Sequence, residues 1–309
     1  MTARIRMALA AVAALLFLSF SSTALTQSQE KQSSLVTQVV LLGTGTPGWN
    51  PDSSGPSTAV VVNGVPYLVD FGPGVVRRAG AAYQKGVKAL FPPNIKVAFL
   101  THRHVDHTVG YADLIFSPAQ ERGLRPEALE VYGPRGTVEM SEYILKAHRL
   151  NPEDPRYKVN AHDIHPGVVY KDINVTVKAF AVQHGDVEAF GFRFETPDRN
   201  IVISGDTTPT QSVIDNCNGC DVLIHEAYSM ATFNAVTPEA QGQRKKLHTS
   251  TLELAEVAKK ARPGLLIVYH RSNLGGLGRG LANPFDVLLQ EIQSAYSGRV
   301  VIGQDLEIY

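Results

Sequence analysis

The run Thr101-His102-Arg103-His104-Val105-Asp106-His107 constrains this chain more than any other stretch. Four side chains of ligand type fall within six positions, directly after the apolar run Val97 to Thr101, which predicts a strand. On an extended backbone His102 and His104 project to one face, because side chains alternate with period two. Asp106 and His107 come after the chain has turned, so they address a neighbouring point in space. Such spacing suits two adjacent cations rather than one. Imidazole and carboxylate together favour zinc, while iron and manganese suit the same donors. The bland alternative is a polar loop that happens to be rich in histidine. The chain has 10 His in all, and three of them in one turn beside an Asp make accident a poor account.

Further candidate ligands stand where predicted strands end. Asp70 closes Pro66 to Asp70, His184 follows Val175 to Val182, and Asp206 follows Asn200 to Ser204. His225 follows Asp221 to Ile224, and His270 follows Leu265 to Tyr269. Any one of these alone reads as a cap or a turn residue. Five at equivalent positions can converge on one edge of a rigid scaffold, where functional loops concentrate.

The rest of the pattern is strands alternating with a few helices, without internal repeats or low-complexity tracts. Val39 to Leu42 reads as a buried strand, and Asn63-Gly64 predicts a hairpin between Thr58 to Val62 and Pro66 to Asp70. Strands are also expected at Leu129 to Tyr132, Ala189 to Glu195 and Arg299 to Gly303. Helices are expected at Glu139 to Leu150, Thr251 to Ala261, which Pro263-Gly264 stops, and Phe285 to Ala295. Two series of strands with helices outside predict two packed sheets in one α/β domain spanning residues 37–309.

The order His-x-His-x-Asp-His, followed by lone His, Asp and His, resembles the metallo-β-lactamase superfamily over essentially all of this span. That resemblance implies an αβ/βα sandwich of two mixed sheets flanked by helices, with two zinc ions at one edge. It implies His102, His104 and His184 as ligands of the first zinc. Asp106, His107 and His270 would hold the second, Asp206 would bridge them, and Asp70 would orient the ligands or a metal-held water. Within the superfamily the chain is most similar to the ribonuclease Z and arylsulfatase branch. The matching signatures are Leu42-Gly43-Thr44-Gly45, His225-Glu226-Ala227 and His248-Thr249-Ser250. The branch implies that His248, supported by Glu226, assists the leaving group. A surface histidine at a helix start is the plainer reading of His248. His225 is expected to lie buried near the metals without binding one, and His148, His162 and His165 to be surface or structural.

Two departures argue against tRNA. Only 21 residues separate His184 from Asp206, leaving no place for the tRNA-gripping arm of bacterial-type ribonuclease Z. The stretch Pro47 to Pro56 lacks Lys and Arg, where that family carries a basic motif. Net charge points the same way. Lys plus Arg equal Asp plus Glu at 29 each, and loss of Arg4 and Arg6 with a leader would leave 27 against 29. Proteins that grip long nucleic acids cluster cations to neutralise phosphates. The expected partner is therefore a small anionic ester, either phosphodiester or aryl sulfate, and not tRNA. A homodimer is allowed for. A lactonase or carboxylic-ester hydrolase on the same two-metal site is the alternative, with little need for His248. A structural zinc-binding module is the non-enzymatic alternative, although structural zinc sites are usually closed with four ligands.

The N-terminus predicts export. Arg4 and Arg6 precede the apolar stretch Met7 to Phe20 and the small residues Ser22-Thr23-Ala24, the pattern of a signal peptide over residues 1–24. The polar residues 25–36 read as a disordered lead-in. A periplasmic or secreted protein, free of the membrane after cleavage, is the expectation. Its two cysteines, Cys217 and Cys220, then suit a local structural disulfide better than a redox motif, because they precede a predicted strand rather than open a helix. The loop Asn273 to Gly280 reads as a flap, with Arg271 and Arg279 candidates to meet an anion.

Overall fold

The structure is a computed structural model that describes residues 36–48, 50–120, 125, 127–271 and 284–309. The expected leader 1–24, nearly all of the lead-in 25–36, and the Asn273–Gly280 flap with Arg279 lie outside the described residues.

β1 (Thr37–Gly43), β2 (Ser57–Val62) and β3 (Val65–Val69) form an antiparallel meander. Its second turn falls at Asn63-Gly64, both with positive φ (50° and 78°), as a two-residue type I′ turn requires. After α1 (Val75–Gln84) the chain enters β4 (Val97–Phe99), which lies parallel to β3. The short α2 (Val105–Thr108) and α3 (Tyr111–Gln120) lead to β5 (Leu129–Gly133). Then α4 (Thr137–Ala147) and β6 (Val159–Asp163) complete a six-stranded sheet in the order β1-β2-β3-β4-β5-β6.

The second sheet starts with three antiparallel strands, β7 (Gly167–Lys171), β8 (Thr176–His184) and β9 (Val187–Glu195), joined to β10 (Asn200–Ile203). The chain continues through α5 (Gln211–Cys217), β11 (Val222–Ala227), α6 (Met230–Phe233), α7 (Pro238–Leu247) and α8 (Thr251–Ala261). It ends with β12 (Leu265–Arg271), α9 (Pro284–Gln293) and β13 (Val300–Ile302). Seven strands run in the order β13-β12-β11-β10-β9-β8-β7, parallel from β10 to β13.

Alternation along each strand assembles three apolar layers. Val39 and Leu41 face inward with Phe99, Phe192, Phe194, Ile203, Ile224 and Ile267, filling the space between the sheets. Val40 and Leu42 face outward against α1 and α3, through Val75, Ala79, Leu114 and Ile115. On the other side Val202, Leu223 and Val268 pack against Val213 of α5, Leu254 and Ala258 of α8, and Ile292 of α9. Burial on both faces explains why the strands read as continuous Val/Ile/Leu runs. The architecture is the expected sandwich of two mixed sheets flanked by helices.

Several boundaries differ from those expected. His184, His225 and His270 stand within β8, β11 and β12 rather than in loops after them. Polar residues at strand ends hide the last ladder positions from a hydrophobicity reading. The edge strands β6 and β7 went unpredicted because their residues are half-buried or exposed, and the apolar positions of β7 stop at the three residues Val168, Val169 and Tyr170.

Candidate metal centre

The site lies where parallel strands of both sheets end. Asp70 follows β3, His102 follows β4, Asp206 follows β10, and His270 sits at the end of β12. Brought together at that edge are His102, His104, Asp106, His107, His184, Asp206 and His270. Open α/β sheets bind ligands outside the carboxyl ends of their strands for the same reason, since loops diverge there and leave a crevice.

Local geometry aims the side chains. Gly205 has φ 64°, and a Cβ there would come within 2.9 Å of Thr101 Cβ, so the turn delivering Asp206 needs glycine. In β12 the ladder to β11 pairs Tyr269 with Glu226 and then Arg271 with Ala227, which makes His270 an extra residue in a bulge with φ 39°. Bulges re-aim side chains. Plain alternation would send His270 the same way as Val268, into the outer helix-packed layer, whereas the bulge turns it to Asp106 and Asp206.

Hydrogen bonds fix the imidazoles by one nitrogen and leave the other for the centre. His107 Nδ1 donates to Asp70 Oδ2 at 2.8 Å, and His184 Nδ1 donates to the Leu247 carbonyl at 2.7 Å. His102 Nδ1 lies 3.0 Å from Thr101 Oγ1, whose hydroxyl and backbone N–H are both bonded to Asp70. The remaining nitrogens then cluster. His184 Nε2 is 3.1 Å from His104 Nδ1, and His270 Nε2 is 3.1 Å from Asp106 Oδ2 and 3.3 Å from Asp206 Oδ2. Asp206 lies between the two groups, with Oδ1 3.5 Å from His107 Nε2 and Oδ2 3.9 Å from His102 Nε2.

A cation fits this arrangement. His102 Nε2, His107 Nε2 and Asp206 Oδ1 are buried and have no hydrogen-bond partner among the described residues. Leaving such an atom unsatisfied costs about 1–3 kcal/mol, so three in contact need a common explanation. The triads His102–His104–His184, Asp106–His107–His270 and His102–His107–Asp206 each gather their donor atoms within 4.8 Å. Burial and the neighbouring His107 keep His102 well below the usual imidazole range, and burial lowers His184 to about 4. Both rings are thus neutral donors at neutral pH. Burial would raise the Asp206 carboxyl, but His270 and His107 hold it well below the usual range.

Beside this cluster His248 Nδ1 donates to Glu226 Oε1 at 2.8 Å, and Thr207 N donates to the same oxygen at 2.9 Å. His248 also precedes α8, whose capping box is formed by Ser250 and Glu253. The helix-start reading and the site reading are therefore compatible. Thr249 Oγ1 donates to the Thr207 carbonyl at 2.6 Å, tying the loop to the segment that carries Asp206. Burial would lower His248, but the Glu226 carboxylate overrides it and raises the ring to about 9. His225 is fully buried, with Nδ1 on the Glu226 carbonyl, and belongs to none of the groups able to hold a metal among the described residues. His148, His162 and His165 are exposed.

Residues 66–271 match the beta-lactamase superfamily domain, two thirds of the chain and every residue of the cluster. The chain belongs to the metallo-β-lactamase superfamily. This metallo-β-lactamase-fold chain is thus a member of a metal-dependent hydrolase superfamily, in its ribonuclease Z-like branch. It is 31% identical to ribonuclease Z of Mycobacterium bovis over 281 residues, covering 87% of this chain and 96% of that protein. Identity to ribonuclease Z of Mycobacterium tuberculosis is 30% over 280 residues, with the same coverages. The fold is similar to human tRNase Z, short form, with a TM-score of 0.67 and 21% identity over 88% of this chain and 98% of that one. It is similar also to the metallo-β-lactamase fold protein YhfI of Bacillus subtilis, with a TM-score of 0.68 and 18% identity over 88% and 99%.

These relatives overturn the expectation of a small ester partner and no tRNA. The match takes in 96% of the Mycobacterium bovis ribonuclease Z over 281 residues, so the short interval from His184 to Asp206 does not set this chain apart from it. Nor is the basic-free stretch Pro47 to Pro56 without cations in space. Arg78 Nε donates to Ser54 Oγ at 2.7 Å, and Arg271 Nη2 donates to Ser53 Oγ at 3.0 Å. Net charge was too coarse a measure, because folding delivers cations to a loop whose own sequence has none.

Proposed function

We propose that this protein is a two-zinc phosphodiesterase acting on RNA, tRNA precursors included, with His248 as the acid that protonates the departing oxygen. The His248–Glu226 pair beside Asp206 carries this reading. His102, His104 and His184 would hold one cation and Asp106, His107 and His270 the other, with Asp206 between them; the nitrogen and carboxylate donors favour zinc. Bound there, such a pair supplies an activated water and neutralises charge developing on the substrate's oxygens. Glu226 fixes the His248 ring by accepting from Nδ1, which leaves Nε2 to carry the transferable proton. Asp70 holds His107 and Thr101 in place. A lactonase would leave the His248–Glu226 pair without a task.

We propose export separately from the choice of substrate. It is supported by the leader-like N-terminus and by the Cys217–Cys220 disulfide, of a kind that persists in oxidising compartments.

The test is kcat/KM of the zinc-loaded protein on a tRNA precursor, bis-p-nitrophenyl phosphate, p-nitrophenyl sulfate and a simple lactone, compared side by side. The reading expects the two phosphodiesters to lead and His248→Ala to abolish that lead with zinc retained. A lead for the lactone that survives His248→Ala would overturn it.

A further inference from the structure

Arg271 is the residue immediately after the candidate ligand His270, and its side chain is placed unlike an ordinary surface cation. It is 4% exposed. Nη2 donates to Thr44 Oγ1 at 2.7 Å and to Ser53 Oγ at 3.0 Å. Nε and Nη1 are buried with no hydrogen-bond partner among the described residues. The guanidinium stacks on the Phe285 ring, 4.4 Å from its centroid.

Among the described residues no carboxylate forms an ion pair with it at contact distance. Asp305 and Glu307 favour the charged form from further off. Asp305 is already engaged, accepting from Thr44 N at 2.9 Å, Thr44 Oγ1 at 2.9 Å and Ser54 N at 2.8 Å, with Arg78 Nε in an ion pair 3.3 Å away. Asp52, the acid within the loop, is exposed and does not line the recess below. A guanidinium stays protonated in proteins, so Arg271 carries its charge at neutral pH. A buried cation with unsatisfied N–H groups is unfavourable unless something anionic meets it.

The space for such a partner is present. Arg271 lines a recess of about 30 Å³ together with Thr44, Gly45, Thr46, Gly48, Asn50 and Ser53. About 10–15 Å³ on this measure admits one water, so the recess takes the oxygens of one small oxyanion. Its floor is a loop with hydroxyls, and Arg is the side chain whose N–H fork matches phosphate oxygens.

We infer that Arg271 and the Thr44–Ser53 loop form an oxyanion subsite beside the metal centre, built for a phosphate group other than the one being cleaved. Either a neighbouring phosphate of the substrate or free phosphate supplies that chemistry. The first source rests on the phosphodiesterase reading, whereas binding itself does not.

The experiment uses the metal-free full chain titrated with inorganic phosphate and followed by ³¹P NMR, so that the metal positions make no contribution. One saturable phosphate per chain is expected, weakened at least tenfold by Arg271→Gln and by Asn50→Asp, and unmoved by Lys245→Gln on exposed α7. Asn50 is exposed, so Asn50→Asp keeps the test decisive should Arg271→Gln fail to fold. No saturable binding, or binding that Asn50→Asp and a folded Arg271→Gln leave unchanged, would overturn the subsite. A second arm uses the zinc-loaded protein on one diester with and without an adjacent phosphate. A rise in KM in Asn50→Asp confined to the phosphorylated diester assigns the subsite to substrate. Equal KM values alongside phosphate binding in the first arm assign it to free phosphate. Loss of hydrolysis altogether would sink the phosphodiesterase reading while leaving the first arm intact.

Discussion

Glu226 Oε1 accepts from His248 Nδ1 at 2.8 Å while Glu226 Oε2 stays buried and unpartnered among the described residues. A carboxylate so placed fixes one tautomer of one ring. His248→Ala is expected to lower kcat on phosphodiesters by about 10²- to 10⁴-fold, the usual contribution of a positioned acid. Metal content by atomic emission should stay at the wild-type level. Equal loss of metal and rate would instead make His248 a ligand.

The same pair sets a pH limit. In the metal-free protein the ring is raised to about 9 by Glu226, so the acid form persists through neutrality and kcat should fall only on the alkaline side. In Glu226→Gln the falling limb should move to lower pH. Stability follows the sign of the shift. A histidine raised above its unfolded value stabilises the fold fully below that value, about 6.5, and loses this contribution as pH rises through about 9. The Tm difference between metal-free wild type and His248→Ala should therefore shrink across that window.

Asp70 holds His107 through Nδ1 and Thr101 through both its N–H and its hydroxyl. Asp70→Asn keeps the shape and removes the charge. Metal affinity should fall by about 10- to 100-fold, as is typical when the group behind a ligand is lost, read by competition with a chromophoric chelator. Fluorescence unfolding should show whether the fold is retained. Asp206→Ala should be more severe, abolishing binding of both cations.

The Cys217–Cys220 bridge closes a four-residue loop at the end of α5, with both cysteines 1% exposed. The chain-entropy relation for so short a loop gives a stabilisation of about 2 kcal/mol. Cys217→Ser/Cys220→Ser should lower the denaturant midpoint accordingly and leave hydrolysis unchanged. A change in rate with redox potential would contradict a purely structural role.

Much of the site was legible because its residue types are scarce and placed with a period. His102, His104, Asp106 and His107 are readable from alternation followed by a turn, and Asp206 and Asp70 from their position after apolar strands. What stayed hidden depends on contacts distant in sequence. The bulge that turns His270 inward shows only in the ladder with β11. The arginines at the Pro47 to Pro56 loop come from α1 and β12, 24 and 218 residues away from their partners Ser54 and Ser53. Absence of local charge was read as absence of charge, which is why the expectation about nucleic acid failed. Edge strands β6 and β7 escaped because half their residues meet solvent and carry no clean period.

The ligand cluster draws on residues from His102 to His270 and on both sheets. No local fragment of the chain can present all seven donors, so tight metal uptake has to wait until the two sheets have docked. Release of metal to an indicator dye during unfolding, and its recapture during refolding, would therefore time the last step of assembly rather than the formation of any single strand or helix.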